Sequence, residues 1–203
     1  ERLHIRAALG RVLAEDIVSP LNVPSHDNSA MDGYAVRFAD LKADGEVTLG
    51  IAGTAFAGVP FQDSVKPGAC VRIMTGAVVP GGCDTIVMQE HAKAAGDSVT
   101  IGGGHRLNQH LRRAGEDLKT GQVALRRGEL LRPAEIGLIA SLGIGEIGVF
   151  RKLRVAFFST GDELRSIGTP LGAGQIYDSN RYTLHGMLTR LGCEVIDMGV
   201  VRD

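Results

Sequence analysis

The sequence predicts a multidomain α+β chain, with a β-rich part toward the N-terminus followed by the start of an α/β domain that is truncated. Three observations carry this reading. Short strand-like runs broken by Gly, Pro and Asp fill the stretch from about Val47 to Val123. A strand, a helix and a second strand then follow one another from Lys152 to the last residue, the order of a parallel unit. Glycine accounts for 28 of 203 residues and tryptophan is absent, which suits tight turns and strand junctions more than a helical bundle.

The first element is a short helix, because Ile5, Ala8, Leu9, Val12 and Leu13 fall at i, i+3, i+4 spacing, although Gly10 costs it roughly 1 kcal/mol relative to Ala. The chain is then extended through Pro20 and Pro24. The β-rich part takes its strands from Val47 to Ile51, Ala69 to Met74, Thr85 to Gln89 and Ser98 to Ile101. A helix over Ala134 to Leu142 follows: Pro133 suits its first position, Ile136, Ile139 and Ala140 form the buried stripe, and Gly143 supplies the left-handed end. This helix is expected to pack with the N-terminal one, so the body they form is discontinuous in sequence.

From Lys152 the pattern changes. Leu153 to Phe158 is a continuous apolar run, and Leu184, Met187, Leu188 and Leu191 share one helical face. Asp178, Ser179 and Asn180 offer capping at the start of that helix and Gly192 at its end, before a second strand from Glu194 to Val201. One such unit cannot enclose a core, because both faces of a parallel sheet need helices. The domains read as 1–20 with 121–150, an inserted β-rich domain 21–120, and the incomplete α/β domain 151–203.

Composition excludes several classes. Apolar residues make up 44% and charged residues 22%, so neither disorder nor a membrane span is indicated. The most apolar window, Ile136 to Phe150, is interrupted by glycines and Glu146 and falls short of the ~20 residues a spanning helix needs. With 22 basic against 23 acidic residues, no global field draws the protein to nucleic acid or an anionic membrane. Cys70, Cys83 and Cys193 are odd in number and far apart, which fits a reduced cytoplasmic protein with half-buried thiols. The chain opens at Glu1 with neither an initiating Met nor a leader, so the expectation is a trimmed, non-secreted fragment.

Five strings concentrate the residues that can do chemistry: NSAMDGYAV (Asn28 to Val36), RIMTGA (Arg72 to Ala77), RRAGEDL (Arg112 to Leu118), FFSTGDEL (Phe158 to Leu164) and GQIYDSNR (Gly174 to Arg181). Asn28, Ser29 and Gly33 fit an ordinary turn, which does not explain the whole first string. Asp162 and Glu163 follow the first α/β strand and Asp203 the second. Parallel strands bring these carboxyl ends to one edge, where oxygen ligands suit a divalent cation; equally, Asp162 and Glu163 would oppose a helix dipole, and Asp203 would sit in a turn. Ser159, Thr160 and Gly161 form a small strand-to-helix turn whose amides can receive a phosphate, a weak signal without a Walker lysine. Arg112 and Arg113 can clamp phosphate or pair with the acids beside them. Thr75 reads first as a good strand former. His105 and His110 have no third partner near, and no acyl-transfer signature stands out.

Taken together and in this order, the five strings closely resemble the molybdopterin molybdenumtransferase family, MoeA in bacteria and the gephyrin E domain in animals, from about Leu9 to the last residue. The resemblance implies that the final segment opens a three-layer, Rossmann-like molybdopterin-binding domain. It matches Asp32, Asp117, Glu163 and Asp203 to the family's active-site carboxylates, for metal binding and water positioning, and Thr75 to a site hydroxyl. It implies Mg²⁺ or another divalent cation, molybdate and adenylylated molybdopterin as substrates, release of AMP, a homodimer with a cleft shared between subunits, and a molybdopterin adenylyltransferase as pathway partner. The 203-residue piece alone is expected to be inactive. Two other readings stay open: a gephyrin-type scaffold, which no inserted linker favours, and a different nucleotide-binding enzyme sharing only the α/β domain, against which the first and third strings argue.

Overall fold

The computed structural model describes residues 1–201, and two compact units emerge, Val18–Ala124 and a second formed by Glu1–Ile17 with the chain from Leu125 onward. In chain order the strands are β1 (Arg2–His4), β2 (Ile17–Val18), β3 (Asn28–Ser29), β4 (Gly33–Val36), β5 (Val47–Ala55), β6 (Ala69–Ile73), β7 (Thr85–Met88), β8 (Ala92–Ala95), β9 (Ser98–Ile101), β10 (Leu111–Arg112), β11 (Val123–Leu125), β12 (Glu146–Gly148), β13 (Arg154–Thr160), β14 (Leu164–Arg165), β15 (Ile176–Tyr177) and β16 (Glu194–Val201). Two α-helices stand among them, α1 (Pro133–Ser141) and α2 (Ser179–Arg190).

The Val18–Ala124 unit is built on a six-stranded sheet in the order β7-β4-β6-β5-β9-β8, antiparallel except where β5 meets β6. Both faces of this sheet are covered. Tyr34, Val36, Leu49, Cys70, Val87, Val99 and Ile101 make one apolar cluster, and Ala35, Ala55, Val65, Val71, Ile73, Ala77 and Ile86 make another. Successive β4 side chains alternate between the two clusters, so all four of its residues are buried. NSAMDGYAV is therefore only half a turn: its second half is an interior strand, which the sequence reading did not foresee. Double-sided burial removes the apolar–polar alternation that betrays a strand.

The backbone of β4 comes very close to its neighbour. A Cβ placed on Gly33 would lie 2.0 Å from the Val87 carbonyl oxygen, so this strand position accepts nothing larger than glycine.

In the other unit, β1 pairs antiparallel with β12, Leu3 opposite Ile147. The expected N-terminal helix is absent. Ile5–Ala7 makes a single 3₁₀ turn, Gly10 takes φ +73°, and Val12 and Leu13 are extended, bridging Leu130 and Val149. Extended pairing with two distant strands outweighs a helical spacing that Gly10 already weakened. The α1 helix lies beside that turn and begins at Pro133, where Glu135 accepts a hydrogen bond from the Arg132 N–H (2.9 Å). Gly143 has φ +73° beyond its end. Its buried side is Ile139, continued by Leu142 past the helix end, with Ile136 half-buried; Ala140, expected in that stripe, is exposed.

The last segment carries β13 and β16 as a parallel pair, Val155 opposite Val195, with α2 against both. Asp178 caps α2, its Oδ1 accepting from the Arg181 N–H at 3.1 Å, and Gly192 has φ +79° after the helix. Arg181 then ties α2 to β16, with Nε donating to both Asp197 oxygens at 2.7 and 2.9 Å. The apolar run of β13 is not fully buried: its residues alternate between half-buried and exposed, and Leu184, Met187 and Leu191 of α2 are exposed. No helix among the described residues is long and apolar enough to cross a membrane.

Candidate functional site

The first three strings converge in the Val18–Ala124 unit. β3 pairs antiparallel with β10, Ser29 opposite Leu111 and Asn28 opposite Arg112, which sets NSAMDGYAV against RRAGEDL. On its other side Ser29 exchanges backbone hydrogen bonds with the RIMTGA turn: its N–H donates to the Ala77 carbonyl and its carbonyl accepts from Gly76. Ser29 itself is buried, and its hydroxyl donates to the Met31 carbonyl at 2.6 Å.

This arrangement joins Asp32 to Thr75. Thr75 does not lie in a strand, as its β propensity suggested, but in the turn after β6, where both its backbone N–H and its hydroxyl donate to Asp32 Oδ1 at 2.7 Å. The N–H first and the hydroxyl second hold the Asp32 carboxyl below the usual carboxylate range. A turn closed by glycine at φ +80° allows both donors to face one oxygen.

Arg112 takes the second of its two sequence readings. Its Nε donates to Glu116 (2.7 Å) and its Nη2 to Asp117 (2.6 Å), so the guanidinium is held by the acids of its own string. That pairing lowers the Glu116 carboxyl, by the Arg112 hydrogen bond first and the Arg113 N–H second. Arg113 faces elsewhere, donating to Asp27 and Asn108, both at 2.6 Å. Asp27 also accepts from the Ala114 N–H at 2.8 Å, and this bond, ahead of Arg113, keeps its carboxyl low. Sequence reasoning missed Asp27, because a carboxylate pairing with a loop 86 residues away leaves no local signature.

The last two strings meet in the other unit. β14 and β15 pair in parallel, Leu164 opposite Ile176, and a cleft of about 390 Å³ opens beside them, lined by Ser159, Thr160 and Glu163 on one side and Tyr177, Asp178, Ser179 and Asn180 on the other. The predicted strand-to-helix turn at Ser159, Thr160 and Gly161 is corrected here. Gly161, at φ +140°, leads through a turn at Asp162 and Glu163 into β14, so no helix N-terminus stands behind these residues. The helix entering the cleft is α2, some 20 residues later, an insertion the strand–loop–helix pattern did not reveal. The Glu163 carboxylate folds back over Gly161 and makes no hydrogen bond or ion pair among the described residues.

The sequence-predicted carboxylates are thus divided. Asp32 and Asp117 belong to one unit, Glu163 to the other, and Asp203 lies outside the described residues. Among the described residues no three His, Cys, Asp or Glu side chains gather to hold a metal. The thiols are all free; burial pushes Cys70 up to about 11 and Cys83 up to about 12, which leaves them unreactive near neutral pH.

Residues 1–143 match the MoeA N-terminal region (domain I and II), and residues 156–203 match the probable molybdopterin binding domain. The chain belongs to the MoeA family. It is 50% identical over 204 residues to a molybdopterin molybdenumtransferase of Haemophilus influenzae, covering 100% of this chain and 50% of the relative. It is 42% identical over 199 residues to molybdopterin molybdenumtransferase 2 of Mycobacterium tuberculosis, covering 97% and 49%. The crystal structure of the molybdopterin biosynthesis MoeA protein from Pyrococcus horikoshii OT3 superposes with a TM-score of 0.92 at 34% identity, over 100% of this chain and 55% of that one. The chain spans about half the length of the curated relatives it matches.

Proposed function

We propose that this MoeA-family chain serves molybdenum cofactor synthesis, as part of an enzyme that inserts molybdenum from molybdate into adenylylated molybdopterin and releases AMP. The observation that carries the reading is the 50% identity, over the whole chain, to a relative named for that transfer. The gathering of the five strings into two clusters, each with a free or hydrogen-bonded carboxylate at its mouth, supports it.

Asp32, with both Thr75 donors on one oxygen, stays ionised and keeps its second oxygen available. Asp117 shares Arg112, whose guanidinium offsets local negative charge. In the other cluster Ser159 and Thr160 line the cleft for an anionic or polar substrate group, with Gly161 allowing the backbone to pass closely. The donor set is all oxygen, which suits Mg²⁺ or a similar cation, and Glu163 with Asp203, joined by Asp32 and Asp117, would hold it. A cation there would neutralise phosphate charge and lower the pKa of an attacking water. A homodimer whose cleft joins one subunit's β-rich unit to the other's α/β segment would bring these groups together. The substrate would then be supplied by an adenylyl transfer onto molybdopterin.

The test is Asp32→Ala and Asp117→Ala in the whole protein. Molybdenum insertion from purified adenylylated molybdopterin should fall by on the order of 100-fold or more in each, with an unchanged circular dichroism spectrum. Activity near wild type in both would refute the assignment.

A further inference from the structure

A buried carboxylate oxygen without a partner stands at the floor of the cleft in the α/β segment. Asp178 is 3% exposed, and its two oxygens are unequal. Oδ1 accepts the Arg181 N–H, while Oδ2 is buried with no hydrogen bond. The nearest cation in sequence does not satisfy it, since the Arg181 guanidinium is committed to Asp197 and Ser166. A polar group left in this state costs several kcal/mol in an apolar medium and about 1–3 kcal/mol in proteins, so folded proteins seldom keep one without use.

The surroundings of Asp178 define what could satisfy it. The cleft is closed on one flank by Leu164, Ile176 and Tyr177, and the Tyr177 hydroxyl donates to the Thr169 carbonyl at 3.0 Å, which fixes the ring. On the other flank stand Ser159, Thr160, Ser179 and Asn180. A flat ring lying against an aliphatic and aromatic wall, with a donor at its edge, matches both features. A phosphate does not, because a carboxylate oxygen repels it.

We infer that Asp178 is a ligand-binding residue whose Oδ2 accepts a hydrogen bond from the amino or ring N–H edge of a heterocycle seated against Ile176 and Tyr177. This rests on the function proposed above, and deepens it: both the pterin and the adenine of adenylylated molybdopterin carry such an edge. The helix cap and the ligand contact then divide one carboxylate between them, so ligand binding is coupled to the start of α2.

Asp178→Asn in the whole protein separates these two jobs. Asn is as good a helix N-cap as Asp, so thermal unfolding should be unchanged, while an NH₂ in place of Oδ2 sets donor against donor. Calorimetric titration with molybdopterin, with adenylylated molybdopterin and with AMP should show affinity for the adenylylated form reduced about 10- to 100-fold. A matching loss for molybdopterin alone locates the edge on the pterin; a matching loss for AMP alone locates it on the adenine. Equal affinity of wild type and variant for all three overturns the inference and leaves the proposed function standing. Wild-type protein that binds none of them overturns both. Should the variant lose cooperative unfolding, wild-type protein titrated with ring-N-alkylated analogues gives the same decision: unchanged affinity refutes the contact, and a 10-fold or greater loss supports it.

Discussion

Asp32 and Thr75 show how one residue is tuned by another 43 positions away. Two Thr75 donors meet a single carboxylate oxygen, and the backbone N–H contributes more than the hydroxyl. Thr75→Val removes the hydroxyl and leaves the N–H, so the Asp32 carboxyl should rise part of the way toward its ordinary value, as followed by carboxyl ¹³C shifts against pH. The sign for stability follows from the depressed value. The Asp32 contribution is present above the unfolded carboxylate pKa and is lost as pH falls through the lower folded one. The variant should therefore lose less stability across that acid window than wild type does; an unaltered Asp32 titration would mean the hydroxyl contact is not made in solution. The residue types at this site were legible in the sequence as a concentration of Asp, Thr, Arg and Gly in five strings. Their partners were not, because Asp32 with Thr75, and Asp27 with Arg113, are joined only through strand pairing.

At the scale of elements, the strands that alternate or end at glycine and aspartate were readable, including Ser98–Ile101 to the residue. Those governed by tertiary contact were not. The spacing of Ile5 to Leu13 suggested a helix, yet Val12 and Leu13 pair as extended chain. β4 was hidden inside a polar string because both of its faces are covered, and its first residue must be glycine for a reason no pattern shows. Gly33→Ala should destabilise the protein by about 1–3 kcal/mol, measured by urea unfolding, because the added methyl meets the Val87 carbonyl rather than a side chain that can turn away. As a control, Gly50→Ala, on the neighbouring sheet with nothing within 4 Å of its Cβ position, should change stability by well under 1 kcal/mol. Equal effects at the two sites would show that β4 and β7 sit farther apart than described.

For the whole molecule, the contrast between its two sheets has a measurable consequence. β4 is hydrogen-bonded on both sides, by β6 and β7, and its side chains are enclosed by two apolar clusters. β13 is bonded only to β16, and Phe158, Leu184, Met187, Leu191 and Met198 around them are between 45% and 76% exposed. Local stability follows buried apolar contact and paired backbone, so the two regions should open separately. In the same unit Leu9, Leu130 and Phe150 are also exposed, and self-association through this body, as the proposed homodimer requires, should give a dimer mass by light scattering, with Leu130→Glu shifting it toward monomer. That association would not by itself cover the β13–β16 sheet. Amide hydrogen exchange on the 203-residue polypeptide should therefore find Gly33–Val36 protected at least about 100-fold more than Arg154–Thr160 and Glu194–Val201, in line with local openings several kcal/mol cheaper than global unfolding. The β13–β16 segment should in addition bind an apolar dye that the six-stranded sheet does not, because only its apolar surface is open to solvent. If the two sets of peptides exchange alike, the parallel pair is covered by contacts beyond those described, and its exposed apolar residues are already buried in solution.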